Sequence, residues 1–86
     1  MKLKKEFLVH ITDPKSFLVP TGAADFSGLV RGNATFGRVL ELLGRDTSEE
    51  AIVAALFAEF DAPESVIAAD VKKALAALRS VGALDG

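Results

Sequence analysis

The sequence predicts an α+β domain of winged-helix-like layout, in which a three-stranded antiparallel sheet is followed by three helices. Two observations carry this prediction. The hydrophobic period is two residues before Asn33 and about 3.6 residues after it. The chain of 86 residues is also too short to divide its apolar side chains between two cores. We therefore expect one domain that spans residues 1–86.

The first two predicted strands form a hairpin. Apolar side chains alternate in two short segments, residues 6–11 and residues 16–20. Between them stand Asp13 and Pro14, which favour the first two positions of a type I turn. A turn this short joins antiparallel neighbours, so the two strands should pair directly.

A third strand is predicted over residues 26–31, after the turn-rich segment that begins at Pro20. It is short and contains Gly28, which weakens a strand but permits another backbone to come close. We find no strand pattern later in the chain. The third strand should therefore form an edge of the sheet, and an open edge can recruit a further strand.

Three helices are predicted over residues 34–43, 48–60 and 63–81. The first begins after Asn33, a residue type that caps helix N-termini. The second begins at a capping box formed by Thr47 and Glu50. The third takes Pro63 as its first residue and stops at Gly82. The expected core stripes are Phe36, Val39, Leu40 and Leu43 on the first helix, Ile52, Val53, Leu56, Phe57 and Phe60 on the second, and Ile67, Val71, Ala74, Leu75, Leu78 and Val81 on the third.

The sequence shows no group of residues arranged for catalysis. The chain has no Cys and one His, His10, which stands on a predicted strand and is expected to be solvent-facing or structural. The acidic pairs stand where helix N-termini favour negative charge, and no phosphate-binding loop or nucleophile motif occurs. We expect a protein that is not an enzyme and needs no metal or cofactor. Since no export signal or membrane segment stands out, the expected location is cytoplasmic.

DNA binding is the rival interpretation, because a winged-helix reader uses its third helix for recognition. The third predicted helix does carry Lys72, Lys73 and Arg79. It also carries Glu64 and Asp70, however, and no Asn or Gln to read base edges. With a net charge of −2, the composition shows no excess of basic residues that would bind a phosphate backbone, so we rank this interpretation second.

The order and spacing of several segments resemble the PqqD-like family. The segment 17–22 followed by 25–31 is similar to that family's hydrophobic strand, Val-Pro turn and third strand. Residues 33–35 leading to 40–43 are similar to its first helix, and residues 47–50 to the opening of its second. Asp70 and Val71, with Leu75, Leu78 and residues 82–84, are similar to its last helix. No single segment is specific, so the resemblance rests on their order over residues 4–84.

This resemblance implies a recognition element for ribosomally synthesised, modified peptides. Such a domain captures the leader segment of a precursor peptide as an added strand and presents it to a modifying enzyme, for which a radical-SAM protein is the expected partner. The leader is expected between the third strand and one flank of the third helix. The candidate peptide-binding residues are Phe26, Ser27, Gly28, Leu29, Val30, Arg31, Val66, Asp70, Lys73 and Ala77. The opposite flank, with Ala68, Lys72 and Arg79, is left open as the alternative wall.

Overall fold

A computed structural model describes residues 1–12, 15–21 and 30–85 of the chain. Within these residues the elements are β1 (Lys2–Leu3), β2 (Phe7–Thr12), β3 (Lys15–Pro20), β4 (Val30–Gly32), α1 (Ala34–Leu42), α2 (Glu49–Glu59), α3 (Glu64–Ser80) and β5 (Leu84–Asp85). The predicted turn at Asp13 and Pro14 and the first four positions of the third predicted strand, residues 26–29, lie outside the described residues.

The main sheet has the predicted antiparallel arrangement, in the order β2, β3, β4. Phe7 pairs with Pro20 at one end of the hairpin, and Thr12 pairs with Lys15 at the other. On the opposite side of β3, Leu18 pairs with Val30 and Ser16 pairs with Gly32. Because β3 is central, β4 forms one edge of this sheet and β2 forms the other. The α+β class, a three-stranded sheet followed by three helices, is confirmed.

A second, two-stranded sheet joins the two ends of the chain, which the sequence interpretation missed. β1 pairs antiparallel with β5, Lys2 opposite Asp85 and Leu3 opposite Leu84. Strands of two residues are too short to show any alternation of side chains. The expectation that no strand follows the third was therefore wrong, but β5 pairs with β1 and does not cover β4.

Local hydrogen bonds cap the helices, and two of the predicted helix starts need correction. The Asn33 side chain caps α1 as predicted, accepting from the Phe36 N–H. The cap of α2 is Ser48 rather than Thr47, because it is the Ser48 hydroxyl that accepts from the Ala51 N–H at the start of the helix. Pro63 occupies the cap position of α3, one residue before the helix, where its extended backbone (ψ 144°) stands outside the helical region.

The predicted stop at Gly82 is a complete C-terminal capping motif. Gly82 has a φ of 73°, a left-handed conformation that side chains with a Cβ disfavour. Its N–H donates to the Arg79 carbonyl, and the Ala83 N–H donates to the Leu78 carbonyl. This turn directs the chain toward β5.

The core lies between the sheet and the helices. Its fully buried large side chains are Leu18, Val39, Leu40, Leu43, Ile52, Leu56, Val71, Leu75 and Leu78. The α1 and α3 stripes are largely confirmed, with Phe36 and Val81 packed against the core from its margin. The α2 stripe is narrower than predicted, because Phe57 and Phe60 are 49% and 36% exposed. Successive side chains diverge by about 100°, so the contact made by Leu56 turns Phe57 outward.

A buried serine holds the sheet against the start of α1. The Ser16 side chain is fully buried, and its hydroxyl donates to the Asn33 carbonyl over 2.8 Å. A Cβ on Gly37 would lie 2.9 Å from the Ser16 Cβ, so a glycine there lets helix and strand approach closely. This contact fixes where α1 begins relative to the end of β4.

An ion pair between Arg38 and Glu59 ties α1 to α2. The guanidinium makes two hydrogen bonds to the carboxylate, at 2.7 and 2.9 Å. These bonds lower the pKa of the Glu59 carboxyl below its ordinary value, with a further contribution from the positive charge of Arg38. A carboxyl with a lowered pKa in the folded state stabilises the fold above its unfolded-state pKa, and that contribution disappears as the pH falls through the folded pKa.

We expect Glu59→Gln to remove this part of the acid sensitivity. The urea midpoint of the parent protein should fall more steeply than that of the variant between about pH 5 and pH 3, and the two curves should converge at the acid end. Urea denaturation at several pH values measures both slopes. Glu50→Gln, on an exposed carboxylate of the same helix, is the control. Parallel curves for the parent and Glu59→Gln would contradict the role given to the ion pair.

Candidate functional site

The candidate site lies along the edge of β4 that no strand covers among residues 1–12, 15–21 and 30–85, and its geometry depends on which backbone groups face outward. The Thr21 N–H donates to the Glu6 carbonyl over 2.7 Å, next to the pair of Phe7 and Pro20. Pro20 has no N–H, so Phe7 and Pro20 form a pair without mutual hydrogen bonds. Hydrogen-bonded and non-hydrogen-bonded pairs alternate along an antiparallel ladder. The Val19 groups therefore face β2, and those of Leu18 face β4.

The same alternation continues into β4. Leu18 with Val30 and Ser16 with Gly32 are hydrogen-bonded pairs, whereas Phe17 with Arg31 is not. The N–H and C=O groups of Val30 and Gly32 thus point into the sheet. Those of Arg31 point away from it, along the open edge. Arg31 is the one described residue of β4 whose backbone can extend the ladder to another strand.

A groove runs between this edge and α3. Its volume is about 320 Å³, and it is lined by Val30, Arg31, Gly32, Asn33, Thr35, Phe36, Asp70, Lys73, Ala74 and Ala77. The side of α3 that faces β4 is therefore the flank with Asp70, Lys73 and Ala77. Of the two flanks that the sequence left open, the structure places this one at the groove, and Ala68, Lys72 and Arg79 do not line it.

Five of the ten predicted site residues meet at this groove: Val30, Arg31, Asp70, Lys73 and Ala77. Val66 is on the same flank of α3 and is 48% exposed, but it does not line the groove. The remaining four, Phe26, Ser27, Gly28 and Leu29, lie outside the described residues.

Sequence reasoning missed the end of the groove formed by the junction of β4 with α1. Gly32, Asn33, Thr35 and Phe36 line the groove there. The signal was present, because a residue one turn into a helix that directly follows an edge strand must lie near that edge. Ala74 was predicted as core, and it is both 7% exposed and part of the groove lining.

The groove combines an apolar surface with charges at its rim. Val30, Phe36, Ala74 and Ala77 supply the apolar part, and the small alanines leave room beside the Phe36 ring. Lys73 is an exposed cation, and Asp70 is an exposed carboxylate one helical turn from it. The Arg31 side chain projects from the other face of the sheet, beside Phe17, its partner across the ladder. The site can therefore take a chain with apolar side chains and still make charged contacts at the margin.

The described residues show no group of three or more His, Cys, Asp or Glu side chains that could hold a metal ion. His10 is exposed, and its ring centroid lies 6.2 Å from that of Phe17, on the face of the sheet away from the helices. No helix within the described part of the chain is long and apolar enough to cross a membrane.

Comparisons with known proteins bear on the fold and the family of this chain. The chain is similar to a solved structure, TbiB1 in complex with the TbiA(beta) leader peptide, with 23% sequence identity and a TM-score of 0.80. The similarity covers 100% of this chain and 96% of that one, which shows that the two share a fold. A search of curated proteins gave no match. The model of the family described as coenzyme PQQ synthesis protein D (PqqD) matches residues 13–84, well over half of the sequence, and the chain therefore belongs to the PqqD family.

Proposed function

We propose that this protein is a non-catalytic adaptor that binds the leader segment of a ribosomally synthesised precursor peptide and presents it to a modifying enzyme. One observation carries the proposal: an apolar groove lies directly beside a strand edge whose Arg31 backbone groups point outward. Family membership supports it, as does the shared fold with TbiB1, which was solved with a leader peptide.

The leader adds to the sheet as a strand next to β4. The Arg31 N–H donates to a leader carbonyl, and the Arg31 C=O accepts from a leader N–H. Such backbone bonds depend little on the leader sequence, so they supply affinity without choosing between peptides. They also place the leader between β4 and α3, where every second side chain faces the groove.

Specificity comes from the side chains along the groove. A leader residue whose side chain points toward Ala74 and Ala77 finds a space bounded by Phe36, which suits a large apolar group. Leader residues two positions along the strand face the same groove, pass Asp70 and Lys73, and can pair with either charge. We therefore expect a leader with both apolar and charged residues at its groove-facing positions to be favoured.

The partner enzyme completes the function, because the proposed adaptor supplies binding and no chemistry. We propose a radical-SAM protein as that enzyme, on the strength of the family resemblance. The test is a pull-down with purified candidate enzymes, with and without the leader segment of a candidate precursor peptide, followed by an assay of precursor conversion. Conversion of the precursor at an unchanged rate when the adaptor is omitted would contradict the adaptor role.

The salt dependence of binding separates this proposal from DNA recognition by α3. Strand addition into an apolar groove neutralises few charges, so raising NaCl from 50 to 500 mM should weaken leader binding by less than about tenfold. Release of counterions from several phosphates would instead weaken DNA binding by about a thousandfold or more. Fluorescence anisotropy with labelled leader and labelled duplex measures both. Submicromolar, sequence-specific duplex binding with a steep salt slope would favour the DNA reader.

A further inference from the structure

The second edge of the main sheet, formed by β2, has the features of an interface. The strand Phe7–Thr12 contains no Lys, Arg, Asp or Glu. Edge strands that stay unpaired usually carry such charges, or a proline or bulge, to discourage pairing. Three of its apolar side chains are instead exposed: Leu8 (57%), Val9 (39%) and Ile11 (41%). Within the described part of the chain no strand pairs with this outer edge.

The outward backbone groups of β2 belong to Val9 and Ile11. Leu8 and Val19 form a hydrogen-bonded pair, and so do His10 and Phe17, which directs their N–H and C=O groups toward β3. The residues between them face away from the sheet. Phe7 also faces outward, but its N–H already donates to the Lys4 carbonyl over 3.2 Å.

We propose that β2 pairs with β2 of a second copy of this chain, antiparallel, with the two-fold axis at His10. In this register Val9 of each copy forms a hydrogen-bonded pair with Ile11 of the other, so all four N–H and C=O groups that face outward at these positions find partners. A register centred on Val9 would need the Phe7 N–H, which is already bonded. One centred on Ile11 would place Val9 opposite a residue beyond Thr12, the end of the strand.

The side chains of the edge are compatible with this self-pairing. On the helix side of the sheet, Val9 of one copy lies beside Ile11 of the other, which covers two partly exposed apolar groups. On the outer side, Leu8 faces Thr12 of the second copy and the two His10 rings meet at the axis. Pairing of two β2 strands places no carboxylate or ammonium group of one strand opposite the other. A second copy thus satisfies both the hydrogen-bonding pattern and the apolar surface, which is why we choose it as the occupant.

The resulting dimer has one continuous sheet of six strands, with a β4 edge at each end. Both grooves beside β4 therefore stay open, and dimerisation is independent of the proposed peptide binding. One strand pair is a small interface, so the dimer should be weak and should form only at high protein concentration.

Sedimentation velocity of the full chain from 5 µM to 1 mM, without peptide, tests the proposal. The mass should rise with concentration from 9.0 kDa toward twice that value. Val9→Pro removes an outward N–H and should weaken the dimer at least tenfold, whereas Val9→Thr keeps the N–H and similar side-chain shape and should dimerise like the parent. His10→Glu, whose backbone bonds to β3 are untouched, sets two carboxylates opposite each other at the axis and should also weaken it at least tenfold.

His10→Glu decides the question if Val9→Pro does not fold. A protein that stays monomeric at 1 mM overturns the proposal. So does a dimer that persists in His10→Glu, or one that is lost on Arg31→Pro, which alters the opposite edge.

Discussion

Arg31→Pro is expected to weaken leader binding by about ten- to a hundredfold while leaving the domain folded. The Arg31 N–H points out of the sheet, so proline at this position breaks no bond to β3. A leader strand would lose one backbone donor and face the proline ring at the same point. A missing partner for a buried hydrogen-bonding group costs about 1–3 kcal/mol, which corresponds to that loss of affinity.

Val30→Pro should give the opposite result. The Val30 N–H points inward and pairs with Leu18, whose side chain is fully buried at the centre of the sheet. Its removal leaves the Leu18 carbonyl without a partner and should lower the free energy of unfolding by about 1–3 kcal/mol. Thermal melts of the two variants, beside leader titrations followed by amide shifts, separate the loss of fold from the loss of binding.

The matched control for Arg31→Pro is Arg31→Ala, which removes the guanidinium but keeps the N–H. Any affinity lost by alanine reports the Arg31 side chain, and the further loss with proline reports the backbone bond. Strand addition at this edge is wrong if proline and alanine bind the leader equally well. It is also wrong if the amide shifts map away from β4 and α3.

The sequence could not show which residues of β4 direct their backbone N–H and C=O groups out of the sheet. Alternation shows that neighbouring residues differ in direction, but which of them faces outward depends on the partner strand and its register. Here two features of the pairing between β2 and β3 decide the direction. Pro20 has no N–H to donate, and the Thr21 N–H donates to the Glu6 carbonyl. Without that pairing, Val30 and its neighbours were equivalent candidates for the outward position.

The α3 wall of the groove could likewise be predicted only in part. The stripe of Ile67, Val71 and Leu75 was readable because a period of 3.6 residues identifies the buried face of a helix without reference to its neighbours. Both flanks of that stripe have the same relation to the core. Which flank borders β4 depends on how α3 lies across the sheet, and only the structure selects Asp70 and Lys73 over Lys72 and Arg79.

Gly32→Ala is expected to lower both the stability of the fold and its affinity for the leader, because the added Cβ would clash with Phe36. A Cβ at residue 32 would lie 2.5 Å from the Phe36 Cβ and closer still to two atoms of its ring. Both residues line the groove, and Phe36 also packs against the core. Because the Phe36 Cβ is fixed to α1, the side chain cannot yield by rotation alone, and the end of β4 must move away from the helix.

Overpacking of this kind costs about 1–3 kcal/mol, and the shift of β4 should narrow the groove beside Phe36. If the clash with Phe36 is the cause, the cost should depend on that ring. A Phe36→Ala background removes the two ring contacts and keeps the one with the Cβ, so Gly32→Ala should still be destabilising there but should cost less than in the parent by at least about 1 kcal/mol, the coupling expected of residues in contact. Urea denaturation of the four proteins in this cycle measures the coupling. Equal costs in the two backgrounds would show that residue 32 requires glycine for a reason other than its contact with the Phe36 ring.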